Sequence, residues 1–291
     1  MDAAVVSRPA ARSATPNDGR LELAFAPDAE GRSFLAHQFA SYPFHVCRAQ
    51  YLDPEVPEMA SLYLQSSSGG LFAGDRLSIR ISVEAGAKAH VTTPASTIVH
   101  RMPAGEARLR TLLEAGSGSL LEYLPDPLIL FPQARLRSTL HLRLGEGATA
   151  ILADAFLPHD PAGAHECFGS YESEAEVEDA SGRRLVLDRF RLSGAEAQAS
   201  MVGVMGGRAM QATVLAVSNA VAPEALLTAL RQGMETCAPT VYGAASLLPN
   251  ACGAWVRLLA EDGAALTGAT AQLWACAREA VTGTRPLPRR K

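Results

Sequence analysis

The chain lacks paired cysteines, is short of charge and aromatic residues, and has no long apolar run; each shortage removes a class of function. Its five cysteines (Cys47, Cys167, Cys237, Cys252, Cys276) are odd in number and scattered, with no C-x-x-C spacing. They support neither a disulfide framework nor a thiolate zinc knuckle. Cys252 and Cys276 read as small buried hydrophobes. Charged residues are only 19% of 291, and a net charge of −4 gives no electrostatic pull toward nucleic acid. Basic residues gather only at Arg285, Arg289, Arg290 and Lys291, around two prolines. That run reads as a solvated tail, the expectation against a nucleic-acid patch. Aromatics at 6%, with both tryptophans late in the chain, are too few for the stacking platforms of a carbohydrate-binding module. No run approaches the roughly 18 apolar residues of a membrane span and no signal-type apolar stretch follows the N-terminus, so the expected location is cytoplasmic with no membrane partner.

Helical periodicity is also missing before residue 220, and no phosphate-binding loop follows a strand, which argues against a doubly wound α/β fold. Alternation takes its place. Leu77, Ile79, Ile81 and Val83 face one way while Ser78, Arg80 and Ser82 face the other. Residues 136–144 and 172–178 repeat the pattern, each with one wet face. Between Leu77 and Phe156 the strand–turn–strand unit occurs three times, with turns at Glu84-Ala85-Gly86-Ala87, Glu114-Ala115-Gly116-Ser117-Gly118 and Gly145-Glu146-Gly147-Ala148. A spacing of roughly thirty residues lies in the range of stacked architectures. The expected fold is mainly β, with solenoid-like stacked sheets forming a β-helix-like body and two C-terminal α-helices. The first helix opens at Pro223-Glu224 and ends near Gly233; the second spans 269–281 with Gly283 as its cap. A hairpin about Pro249-Asn250 separates them.

The densest group of candidate catalytic or metal-ligating side chains is Asp154, His159, Asp160, His165 and Glu166. Imidazole and carboxylate suit a borderline divalent ion, and a metal-dependent hydrolase on Asp154, His159 and His165 is the alternative functional reading. A His-x5-His loop with Pro and Gly fixes no ligand geometry, however, so a solvated loop competes with it. Ser66-Ser67-Ser68-Gly69-Gly70 lacks the framing of a nucleophile elbow and reads as polar turn. Gly69, Gly70 and Gly74 mark backbone geometry at a strand entrance, and Asp75 is placed to cap that turn through backbone N–H groups. Glu122-Tyr123-Leu124-Pro125-Asp126-Pro127 breaks an apolar run with two prolines, which predicts an edge or a sheet corner open to a partner.

Taken in order, Leu62-Tyr63-Leu64, Gly69-Gly70-Leu71-Phe72-Ala73-Gly74-Asp75, Thr92-Thr93-Pro94-Ala95-Ser96 with Arg101, Leu121-Glu122-Tyr123-Leu124-Pro125-Asp126 and Tyr242-Gly243-Ala244-Ala245-Ser246-Leu247 resemble the UreD (UreH) urease accessory family. Ile129-Leu130-Phe131-Pro132 and the stretch from Leu273-Trp274 to Pro288-Arg289 extend the likeness, which runs from about residue 20 to the end. It implies one domain over 21–291: a β body to about 220, a helix-and-hairpin region over 221–284 and a basic tail over 285–291; the composition of residues 1–20 reads as a disordered tail before it. It also implies a non-enzymatic scaffold that binds apo-urease with UreF and the GTPase UreG, alone or as a homodimer within that complex. Nickel is then transient cargo, for which the family's proposed route is a water-filled tunnel, and no cofactor is tightly held. Gly69, Gly70, Gly74, Asp75, Arg101 and Glu122 are the motif positions expected to matter for partners, and His159, His165 and Glu166 the candidate nickel contacts. The chain departs from the family at Ile98-Val99-His100-Arg101, where an imidazole replaces a tyrosine and a lysine is lost. It departs again at Pro161 to Phe168, which keeps Glu166 and Phe168 but lacks the family's arginine.

Overall fold

The computed structural model describes residues 17–289. The strands are β1 (Arg20–Pro27), β2 (Ser33–Ala40), β3 (Phe44–Val46), β4 (Ala60–Ser66), β5 (Arg76–Val83) and β6 (Lys88–Thr92). They continue as β7 (Thr97–Val99), β8 (Ala107–Ala115), β9 (Leu120–Leu124), β10 (Leu128–Leu130), β11 (Arg135–Leu144) and β12 (Thr149–Pro158). The last are β13 (Ser170–Asp179), β14 (Arg184–Ser193), β15 (Met210–Ser218), β16 (Val241–Leu247) and β17 (Gly253–Ala260). Three helices accompany them: α1 (Gly194–Gln198), α2 (Pro223–Glu235) and α3 (Gly263–Thr282).

The repeat makes a β-solenoid of about four turns. In one sheet β1, β5, β8, β11 and β13 pair parallel, and in the other β4, β6, β9 and β12 do the same. A short third ladder runs from β7 through β10 to β12. Antiparallel strands finish the ends: β2 and β14 flank the first sheet, and β15, β17 and β16 extend the second.

The stacked turns explain the glycines of the repeat. The Gly116 N–H donates to Val83 O at 2.7 Å and the Gly145 N–H to Ala115 O at 2.7 Å, so each turn sits directly on the one before. A Cβ on Gly116 would lie 2.8 Å from Ala85 N, and one on Gly145 2.8 Å from Ala115 O, inside any tolerable contact. Close stacking of backbone, more than flexibility, therefore requires glycine at these two positions.

The apolar face of β5, with Ile79, Ile81 and Val83, joins Leu21, Leu62, Val91 and Leu142 in a core between the sheets. A second core lies outside the second sheet, where Leu226 and Leu230 of α2 and Leu266, Leu273 and Trp274 of α3 cover Ile151, Val214 and Val256. The caps follow the sequence: Pro223 opens α2, Asp262 accepts the Ala265 N–H at 2.8 Å, and Gly283 closes α3 at φ 78°.

Three differences from expectation have local causes. The short helix α1 was not anticipated; it is set by a capping box between Ser193 and Glu196 rather than by an apolar stripe. Helix α3 starts six positions earlier than its stripe suggests, because the Asp262 cap nucleates a first turn that begins at Gly263. The disordered tail expected over residues 1–20 lies outside the described residues up to position 16, whereas Asn17 is bonded to Asp75 and Arg20 begins β1.

Candidate functional site

Between the two sheets lies a cavity of about 130 Å³. Leucines make much of its wall, and into it come Asp126, Asp154, Thr93, Thr111, Ser138 and Ser173. The inward pleat of β11 and β13 supplies the two serines, and β12 supplies Asp154. The Tyr171 hydroxyl donates to Asp154 Oδ1 at 3.0 Å and the Ser173 hydroxyl to Oδ2 at 2.9 Å. Asp154 keeps some accessible surface because it lines the cavity, yet it lies deep in the protein. Burial pushes its carboxyl pKa up, and the two hydroxyl donors offset this only in part.

Beneath α3 a second group of charges is locked away. Arg278 donates from Nε to Glu122 Oε1 at 2.6 Å and from Nη2 to Glu122 Oε2, while Nη1 reaches Asp53 Oδ2 at 2.8 Å. His90 Nδ1 lies 2.6 Å from Glu122 Oε2, and Trp274 packs on both the imidazole and the guanidinium. Burial alone would raise the Glu122 pKa, but the Arg278 charge and the His90 and Arg278 hydrogen bonds outweigh it and hold the carboxyl at about 2. The same pairing raises Arg278 against the effect of its burial. Glu122 thus has no exposed surface. Nor does it sit at a sheet edge: β9 runs between β6 and β12, and only the corner after Leu124 fits the expected break. A partner could not touch Glu122 without displacing α3.

The C-terminal residues also differ from a solvated tail. Arg289 folds back and donates to Thr92 Oγ1 at 2.6 Å, to Leu124 O at 3.0 Å and to Asp126 Oδ1 at 3.3 Å. Arg285 bonds Gln272 and Glu279 of α3. Arg290 and Lys291 lie outside the described residues. Wall residue Asp126 is therefore shared between the cavity and this strap.

The turn motif is structural in the way its residues suggest. Asp75 is buried; its Oδ2 accepts the Phe72 N–H at 2.9 Å, and its Oδ1 accepts the Asn17 N–H at 2.9 Å. Gly69, Gly70 and Gly74 all have positive φ, and a Cβ on Gly70 would meet Ile98 O at 2.3 Å. His100, one of the departures from the family pattern, stacks flat on Phe72 at 4.3 Å and meets the edge of Phe131 at 5.6 Å. Arg101 is exposed and pairs with Glu166 at 3.4 Å, with Gln133 bonding both.

The structure does not gather Asp154, His159 and His165. Asp154 turns into the cavity, exposed His159 packs against Phe131, and His165 sits in the loop at φ 58° with Glu166 held by Arg101. Among the described residues, the three side chains with metal-ligand spacing are His141, Glu176 and Glu178, on adjacent strands of the first sheet. His141 is 35 and 37 positions from the two glutamates, so only the wet faces of the two alternating segments hinted at the group.

The profile described as UreD urease accessory protein matches residues 17–291. "Urease accessory protein UreD 1" of Pseudomonas syringae pv. syringae strain B728a is 39% identical over 269 residues, covering 92% of this chain and 94% of the relative. The protein of the same name from Methylorubrum extorquens strain PA1 is 36% identical over 97% of this chain and 96% of its own length. "Urease accessory protein UreD 3" of Bradyrhizobium sp. strain ORS 278 is 35% identical, with 96% and 98% covered. A solenoid whose stacked glycine turns and buried Asp75 account for the opening motif, and similarity along nearly the whole chain, lead to one conclusion: the chain belongs to the UreD urease accessory protein family.

Proposed function

We propose that this chain is a non-enzymatic scaffold that binds apo-urease together with UreF and the GTPase UreG, so that nickel reaches the urease active site when GTP is hydrolysed. The observation that carries the reading is the cavity between the sheets, whose largely apolar wall is interrupted by two carboxylates and several hydroxyls. Its volume of about 130 Å³ exceeds several times the roughly 10–15 Å³ that one water needs by the same measure. The carboxylates of Asp126 and Asp154 and nearby hydroxyls offer oxygen donors to a hydrated divalent ion. Oxygen donors hold nickel more weakly than a thiolate cage would, which suits cargo that must be released. The names of the relatives supply the client, urease.

A cytoplasmic setting belongs to the same reading, and no described helix is long and apolar enough to cross a membrane. The hydrolase alternative is not favoured, since Asp154, His159 and His165 do not converge. Co-expression and pull-down with urease, UreF and UreG test the scaffold, and the expected result is a complex containing all of them. Full urease activation in a strain lacking this chain would overturn the reading.

A further inference from the structure

Strand β13 turns Tyr171, Ser173, Ala175 and Val177 inward and presents Glu172, Glu174, Glu176 and Glu178 on the outer face of the first sheet. Each glutamate has a basic partner. Glu172 pairs with Arg137 and Arg191, both at 3.2 Å, Glu174 with Arg189 at 2.8 Å, and Glu176 with Arg184. At Glu178 the partner changes to His141, whose Nε2 lies 3.1 Å from Oε2. A guanidinium has only donors and cannot share a metal ion with its carboxylate, whereas a neutral imidazole brings a lone pair. The row therefore passes at one end from ion-pair chemistry to ligand chemistry.

The geometry is set by the backbone. In the parallel ladder of β11 and β13, His141 stands opposite Glu176, and Glu178 is the next residue on the same face. Both strands are paired on their two sides, β11 by β8 and β13, and β13 by β11 and β14. One donor atom from each of the three residues falls within 4.8 Å of the others, and all three side chains are half-buried. Donors sharing an ion at about 2.1 Å stand up to roughly 4 Å apart, so small rotations about side-chain bonds close the set.

We infer that His141, Glu176 and Glu178 form a weak, reversible site for a first-row divalent cation of the nickel or zinc class, on the opposite face of the sheet from the cavity. One imidazole and two carboxylates favour such ions over magnesium or calcium, which take oxygen alone. Water fills the remaining positions. Arg184 already engages Glu176, and Arg143 stands opposite Glu178 in register, so two neighbouring cations reduce the affinity and make release easy. The site's geometry is independent of the scaffold reading, which supplies only the choice of nickel as probe.

Equilibrium dialysis of the full-length chain against nickel alone, and against zinc alone, decides the matter. His141→Ala and Glu178→Gln are each expected to weaken binding about tenfold or more, or to remove about one ion per chain, while His45→Ala, an exposed imidazole on β3, matches the wild type. Glu178→Gln keeps the side-chain shape, so circular dichroism will separate lost binding from lost fold. X-ray absorption of the nickel-loaded chain should show an imidazole contribution that His141→Gln removes. Equal binding by the wild type and both folded variants overturns the site, as does a wild type that takes up neither ion. Failure to capture urease would instead count against the scaffold reading and leave this measurement untouched.

Discussion

Arg278 on α3 and Glu122 on β9 are 156 positions apart and meet in a two-toothed ion pair with almost no exposed surface on either side chain. Withdrawing both charges from water costs free energy, and their mutual attraction with the added bonds to Asp53 and His90 offsets it. The pair therefore fixes where α3 sits more than it adds net stability.

Removing one member should be severe. Arg278→Met would leave Glu122 buried and uncompensated, at a cost of about 3–5 kcal/mol. Adding Glu122→Gln to the same chain should recover a large part of that loss. Urea unfolding of the two single variants and the double variant measures the coupling; strictly additive effects would show that the two side chains do not act as a unit.

The same pair sets an acid limit. The folded pKa of Glu122, about 2, lies below its ordinary 4.5, so its stabilising contribution is fully present above about 4.5 and is lost as pH falls toward 2. Melting temperatures across that window should drop for the wild type. Glu122→Gln should flatten this part of the curve.

Asp154 has the opposite sign. Its folded pKa is raised above 3.8, so ionisation in the folded state carries a cost that grows as pH rises through that folded value. Asp154→Asn should therefore raise the melting temperature near neutral pH and lose its advantage toward pH 3. In cells carrying urease and its accessory proteins, the same variant should yield urease with less nickel, read by metal analysis of the purified enzyme. A more stable variant that still gives fully loaded urease would remove Asp154 from the proposed nickel route.

Two glycines give a paired test of the solenoid. Gly116→Ala places a Cβ 2.8 Å from Ala85 N in the adjacent turn and should cost about 1–3 kcal/mol. Gly268→Ala, at an exposed position within α3 with nothing inside 4 Å, should stabilise by roughly 0.5–1 kcal/mol. Thermal unfolding of both variants checks the signs; a neutral Gly116→Ala would mean that the stacked turns can separate without penalty.

Much of the fold is legible in the chain because it is written locally. The alternation at Leu77–Val83 became β5, the glycine turns set a stacking period, Pro223 opened α2 and Gly283 closed α3. Asp75 was readable as a cap for the same reason, since Phe72, whose N–H it accepts, is three residues away. Its second bond, to Asn17, was not readable, because 58 positions separate the two.

The site was less legible. Its elements are defined by faces of strands that meet only in three dimensions: Ser138, Asp154 and Ser173 share a cavity wall because β11, β12 and β13 turn them to the same interior. Glu122 resembled an accessible corner residue until α3 covered it, and Arg289 resembled a loose tail until it found Thr92 and Asp126. The sequence by itself determined a β-solenoid with capped C-terminal helices and membership in the UreD family, because periodicity, caps and turns act over a few residues. Only the tertiary structure decided which charges are buried, what lines the cavity and where an imidazole replaces a guanidinium in the glutamate row. Those outcomes depend on contacts between residues tens to hundreds of positions apart, which no local pattern encodes.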